Sequence, residues 1–428
     1  MAVPRIQMDQ EPRTGILDFP LELLSLTFEH FRIDDDDCTQ DRTELRDATR
    51  ALRLTCRRLS DAATLILFSD LIIDLNKESV RRAEELVSRN PLIAASVRKV
   101  VISLACYKPG MADDMALFVR ARLEDIDQAC WRCVPDWHMI RSHLYESELE
   151  LVDEWYSDSK GPPEQIECLR NGCRIFEAWN MDRYLDHDED SDVYEFEEVT
   201  ERGAAVRNYR ELIWKAHEAY YEKHQEQLEL VESGSFVQSI VRCLGYLRQK
   251  GLQFIITDDI KSPYPESVYI INDNDCLLTA MSAPHGWLDN FVSQSDRDEV
   301  SLPAVRLLSE IPAASYRAGT PITDLNLECF PTWGQLSLLF PGAPSLSTMS
   351  EMFAELGTAC QHLERFEFGR EGMSFLGPVW QHRGSMSPQD RLHANSFFKA
   401  MFSGGKLNAI YVDTLKFGHG VSSTPPEY

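Results

Sequence analysis

Ile322-Thr323-Asp324-Leu325-Asn326-Leu327 reads apolar-x-x-apolar-x-apolar, and the same spacing returns at Val97/Val100/Ile102, Leu363/Phe366/Phe368 and Leu407/Ile410/Val412. Leu252-Gln253-Phe254-Ile255-Ile256 is a looser fifth case. Alternation over the last positions predicts short strands that turn one face to a core. Helical periodicity precedes these strands, near Glu78 to Arg89, Ser235 to Lys250, Leu302 to Tyr316, Ser350 to His362 and Asp390 to Phe402, and Lys250-Gly251 reads as a helix end with a C′ glycine. A strand with one helix returning over it cannot bury both faces alone, so such units must stack and share a core. The pattern therefore predicts a mixed α/β chain of stacked strand-helix units.

Upstream, Phe19-Pro20-Leu21-Glu22-Leu23-Leu24 opens an apolar helix. Pro20 suits the first helical turn, where its missing N–H costs nothing, and Asp18 is placed to cap it. Leu24, Phe28 and Phe31 recur at i, i+4 and i+7, with Leu23 and Thr27 flanking them. Asp34-Asp35-Asp36-Asp37 ends that stripe as a solvated loop. A second helix is predicted from Thr43, with Leu45, Leu52, Cys56 and Leu59 on one side, and Leu65-Ile66-Leu67-Phe68 reads as a third short apolar run. Three short helices hide too little surface to be stable alone, so the leftover apolar face needs a partner or the next domain.

The order Pro-x-Glu-Leu-Leu, then Leu-x-Leu-Thr-Cys-Arg-Arg-Leu from Leu52, then Ala-Ala-x-x-x-Leu-Phe, resembles the F-box of fungal proteins over residues 15–72. The resemblance implies a three-helix module that docks on a Skp-type adaptor, which joins a cullin scaffold. Carried over by position, Phe19, Pro20, Leu23, Leu24 and Phe28 would face the adaptor from the first helix, and Leu52, Leu54, Cys56 and Leu59 from the second. Leu59 stands where many members carry Trp, and the loop between the first two helices is longer and more acidic than usual. The strand pattern in turn resembles leucine-rich repeats. Its later starts, Ile322, Leu363 and Leu407, are 41 and 44 residues apart, against about 20 to 29 in those repeats, and the closing asparagine is missing. The implied fold is an irregular leucine-rich-repeat-like α/β solenoid.

Composition narrows the partners. The 428 residues are 43% hydrophobic and 26% charged, ordinary for a globular chain of two or three domains. Lys+Arg number 43 against 69 Asp+Glu, a formal charge of -26, which argues against nucleic acid or an anionic membrane as partner, since both need a cationic face. No run reaches the length of a membrane span and Met1-Ala2-Val3-Pro4-Arg5 lacks a secretory apolar region, so the expected location is cytoplasmic, nuclear or both. Eleven cysteines without a framework spacing read as reduced, mostly buried thiols.

Residues 111–233 form a predicted helical, acidic insertion. Its last helix, from Glu201 to the Ser233-Gly234 stop, carries Val206, Tyr209, Ile213, Ala216, Tyr220, Leu228 and Val231 near 3.6 spacing, while Asn272 to Asp275 is predicted as a later loop. Two clusters within the insertion have metal-like spacing. Cys130-x-x-Cys133 with His138 and His143 resembles a zinc knuckle, against which Trp131, Val134, Trp137 and Ile140 read as a helix stripe. Asp186-x-Asp188-x-Asp190-Ser191-Asp192 with Glu197 matches an EF-hand calcium loop, except that Ser191 stands where the turn demands Gly. Both are better read as buried thiols and a solvated acidic loop, so no metal and no cofactor is assigned. The Gly369 to Gly372 and Gly418 to Gly420 glycines lack the strand-loop-helix setting of a phosphate cradle, and no nucleophile elbow or His-Glu-x-x-His is present.

The expected organisation is an N-terminal tail at 1–14, the F-box-like module at 15–72 and an irregular α/β repeat-like domain at 73–428. The resemblance implies a non-catalytic substrate-recognition subunit of an SCF-type ubiquitin ligase, which holds an unidentified protein target through its C-terminal domain. The alternative is an F-box-containing interaction scaffold acting outside a ligase.

Overall fold

The computed structural model describes residues 49–52, 54–133, 137, 163–179, 201–247, 252–258, 270–287, 302–331, 336–339, 346–369 and 387–412. Six parallel strands form one open sheet: β1 (Asp70–Asp74), β2 (Lys99–Ser103), β3 (Gln253–Thr257), β4 (Asp324–Leu327), β5 (Arg365–Phe368) and β6 (Ala409–Val412). Their spatial order is their chain order, β1-β2-β3-β4-β5-β6. Parallel neighbours require a crossover each, and each of the five crossovers contributes a helix to one row. These are α2 (Lys77–Arg89), α8 (Ser235–Tyr246), α10 (Leu307–Arg317), α11 (Leu346–Cys360) and α12 (Pro388–Met401). α2 packs on α8, α8 on α10, α10 on α11 and α11 on α12, so the helices stack in the order of the strands. The chain is thus mixed α/β, mostly helical, with a parallel sheet that does not close into a barrel.

The strand pattern sets this arrangement. Leu71, Val100, Phe254, Leu325, Phe366 and Ile410 stand side by side in register, and Ile73, Ile102, Ile256, Leu327, Phe368 and Val412 two residues on. From Leu71 and Ile73 through Phe366 and Phe368 these residues share one core with Val80, Ile240, Ile311, Leu356 and Phe397 of the helix row. Each such side chain contributes about 1.5–3 kcal/mol by leaving water. Ile410 is the departure from the predicted apolar pattern, at 50% exposure, because β6 is an edge strand among the described residues.

Local chemistry fixes the helix ends. Asn76 caps α2 by accepting from the Ser79 N–H at 2.7 Å, and Ser387 caps α12 ahead of Pro388. Gly234 takes the left-handed φ of 68° and separates α7 (Glu201–Glu232) from α8. The five helices predicted ahead of the strands are found within a few residues of their expected bounds, except that residues 303–306 of the expected 302–316 helix are a 3-10 turn ahead of α10 and that α8 ends at Tyr246, before the expected Lys250-Gly251 stop.

Two boundaries differ from expectation. The helix predicted from Thr43 through Leu59 is interrupted: Leu54 and Thr55 donate to Ala51 and Leu52 carbonyls in a tight turn, and the Thr55 hydroxyl also bonds Leu52 O at 2.7 Å. A Thr side chain that competes for the backbone in this way ends a helix, and α1 (Arg57–Leu67) starts afresh, absorbing most of the predicted third run. β1 begins at Asp70, so the sheet starts inside the expected 15–72 module, and Ser69 O accepts from the Arg98 and Lys99 N–H groups at the start of β2.

Between β2 and β3 lie α4 (Pro109–Asp113), α5 (Met115–Cys133), α6 (Pro163–Trp179) and α7, as the predicted helical insertion requires. They enclose a second core, with Phe118, Trp137, Phe176, Ile213 and Tyr220, that is completed by Ile271, Leu277 and Met281 from beyond β3. The expected loop at Asn272 to Asp275 is instead the start of α9 (Asn274–Met281), capped by Asp273, whose carboxylate accepts from the Asp275 and Cys276 N–H groups. α7 spans both cores: Val206 to Tyr220 lie in the second, Leu230 and Val231 in the first. Among the described residues no helix is long and apolar enough to cross a membrane.

Candidate functional site

Of the residues assigned to the adaptor by resemblance, Phe19, Pro20, Leu23, Leu24 and Phe28 lie outside the described residues. The others divide sharply. Leu59 is buried with Ala62 in a small third cluster, onto which Leu52 and Cys56 pack half-buried. Leu54, on the turn, is 88% exposed. α1 rests on α3 (Pro91–Ser96), and the Ser96 hydroxyl donates to Phe68 O at 3.1 Å. α1 is therefore fixed to the first edge of the sheet, with one large leucine ahead of it turned to solvent.

The sheet face opposite the helix row carries Asp70, Lys99, Gln253, Asp324 and Arg365 in register, then Ile72, Val101, Ile255, Asn326, Glu367 and Tyr411. Arg365 bridges Asp324 at 2.7 Å. Ile72 and Tyr411 at the two edges are exposed, while Val101, Ile255 and Asn326 between them are buried. Asn326 donates weakly to Glu328 at 3.4 Å, and its Oδ1 has no hydrogen-bond partner among the described residues. On the outer side, α8, α10 and α11 enclose a groove of about 660 Å³, floored by Val237, Val241, Ala313, Ala314 and Met352 and edged by the ion pairs Arg306–Glu310 and Arg317–Glu355.

A buried polar junction, which the sequence did not announce, ties the insertion to the ends of β1 and β2. Gln227 of α7 accepts from the Tyr107 N–H at 3.0 Å and donates to Leu75 O and Ala105 O, both at 3.0 Å. Tyr220 Oη accepts from the Lys108 N–H at 2.7 Å and lies 3.4 Å from His285 Nδ1. Arg122 of α5 pairs with Asp125 at 2.8 Å, donates to Ala283 O, and is held over the Phe118 and Tyr220 rings at 5.5 and 5.4 Å. His285 exchanges backbone hydrogen bonds with Cys106 beyond β2.

The electrostatics are those of a lock. Burial, with Arg122 and Lys108 adding to it against the pull of Asp125, pushes the His285 pKa down to about 3, so its ring is neutral. Burial also works against ionisation of Asp125, but His285 and Arg122 outweigh it and hold that carboxyl below its usual range. Burial raises the Tyr220 hydroxyl far above the ordinary tyrosine value. A neutral imidazole with no open approach, an ion-paired carboxylate and a protonated phenol serve to satisfy loop backbone and fix two cores together. One signal of the junction was present: the α7 stripe, continued past Tyr220, places His224 and Gln227 inward, and both are buried, whereas the expected Leu228 is half-buried.

The metal-like clusters fare differently. Cys130 is buried in the second core, on the side of α5 facing Gly172 of α6. Trp131 is exposed and Trp137 buried against Phe176, so they do not share the expected stripe. His138, His143 and all of 186–197 lie outside the described residues; among the described ones no group of three His, Cys, Asp or Glu could hold a metal ion. Of the nine cysteines whose side chains are described, seven are buried and none is in a disulfide. Comparison of the chain with protein-family models, with curated proteins and with solved structures gives no match.

Proposed function

We propose that this chain is a non-catalytic substrate-recognition subunit of an SCF-type ubiquitin ligase, working in the cytoplasm or nucleus. The N-terminal module would bind a Skp-type adaptor and through it a cullin, while the domain beyond it holds a protein target. Proximity then does the work, since a tethered target meets the ubiquitin-loaded enzyme at high effective concentration. The observation that carries this is Leu54: a leucine at a position assigned to the adaptor is 88% exposed, beside Leu59 in a cluster too small to be a core of its own. The repeat-like domain is read as an irregular leucine-rich-repeat-like solenoid. Sequential strand order, registered apolar ladders and one row of stacked helices support it.

Copurification tests the proposal. Tagged native chain should retain the Skp-type adaptor and cullin, and Pro20→Ala combined with Leu24→Asp should release both. Absence of the adaptor from native pulldowns, or retention by the variant, overturns it. Adaptor without cullin would favour the scaffold alternative.

A further inference from the structure

Trp214 and Tyr221 lie seven residues apart on α7, two turns along one face, and are 63% and 44% exposed. That face, Arg207, Glu211, Trp214, Glu218, Tyr221 and Gln225, is exposed throughout. The opposite face packs into the second core through Val206, Tyr209, Ile213 and Tyr220, so α7 does not need these two rings to fold. Large aromatics on an open helix face are the commonest anchors of protein contacts.

Their surroundings specify the partner. Glu218 is four residues after Trp214 and three before Tyr221, which puts its carboxylate between the two rings along the helix. Glu211 and Glu222 flank the pair and are exposed as well. None of these three glutamates has an ion pair among the described residues. Of the nearby cations, Lys223 is turned down to Ser282, leaving Lys215 beside the rings and Arg207 at the far end of the face, one turn before Glu211. A carboxylate between two aromatic faces accepts a lysine or arginine head while the rings cover its stem.

We propose that this face of α7 binds a lysine- or arginine-rich segment of a partner protein, with Glu218 pairing the cation and Trp214 and Tyr221 enclosing it. The overall charge of -26 favours approach of such a segment. The surface does not depend on adaptor binding, so it stands or falls separately from the ligase assignment.

The test uses the full chain and a fluorescein-labelled octa-arginine peptide, read by anisotropy at about 0.15 M salt, where distant charges are screened. Trp214→Ala with Tyr221→Ala removes no charge and should weaken binding about tenfold, Glu218→Gln should weaken it several-fold, and Glu351→Gln on α11 should leave it unchanged. Binding by the double variant within about twofold of native would overturn the site in favour of diffuse charge attraction. A benzophenone-bearing version of the peptide gives a second readout on native protein. Crosslinks within Glu211 to Glu222 are expected, and crosslinks confined to other segments overturn the proposal.

Discussion

Gln227 donates to the carbonyl of Leu75, 152 positions away, at 3.0 Å. The same side-chain amide serves Ala105 O and the Tyr107 N–H, so one residue satisfies three buried backbone groups from the ends of two strands. Gln227→Met keeps the shape and strands all three. An unpaired buried group costs about 1–3 kcal/mol, so the variant should lose about 3 kcal/mol or more in urea unfolding. Tyr220→Phe, which strands the Lys108 N–H, should lose about 1–3 kcal/mol by the same reasoning. Equal losses in the two variants would show that the amide network is not the fastening it is taken to be.

The repeated strand pattern predicts equal roles for Phe366 and Ile410, but burial separates them. Phe366 is fully buried between β4 and β6 and under the helix row, so Phe366→Ala should cost about 3–5 kcal/mol. Ile410→Ala, at a half-exposed edge position, should cost less than about 1 kcal/mol. Thermal unfolding of the two variants checks the contrast.

These two positions also show how far the fold could be read in advance. Apolar residues at period two mark strands wherever one face meets a core, and five of the six strands are read from that mark. The first, Phe68-Ser69-Asp70-Leu71-Ile72-Ile73, has the same spacing, yet Leu65 to Phe68 also extends a helical run. A helix and a strand that share a boundary residue cannot be separated by periodicity alone. The polar junction was less legible because its members are far apart in sequence: Arg122, Tyr220, Gln227 and His285 acquire meaning only through the backbone groups that folding brings to them. Of the adaptor set, Leu54 and Leu59 differ in exposure because a Thr55-closed turn, set by one hydroxyl, lies between them.

Close approach of α5 and α6 rests on Gly172. A Cβ there would stand 2.7 Å from Cys130 Sγ and 3.3 Å from the Trp137 ring. Gly172→Ala should therefore destabilise the chain by about 1–3 kcal/mol through overpacking, despite alanine's better helix propensity. Cys130→Ala opens the space, so adding it to Gly172→Ala should restore much of the loss. A double variant no more stable than Gly172→Ala alone would place the collision elsewhere.

Acid should loosen the junction from a higher pH than carboxylates alone would set. The folded His285 pKa is about 3, against an ordinary value of 6.5. As pH falls below about 6.5 the unfolded chain therefore takes up a proton that the folded chain refuses, and stability drops by up to about 1.4 kcal/mol per pH unit until pH nears 3. His224, also lowered by burial, works in the same direction. Asp125 adds its part later: its folded pKa is lowered, so it contributes stability above the ordinary carboxylate value and loses it as pH falls through the folded one. Arg122, Lys108 and Tyr220 face the same ring. His285→Gln preserves the backbone bridge to Cys106 and removes the titrating ring. Urea unfolding between pH 7.5 and 5 should then show a shallower fall in stability than the native chain, by about one proton's slope. Parallel curves for the two proteins would mean that His285 is not buried neutral.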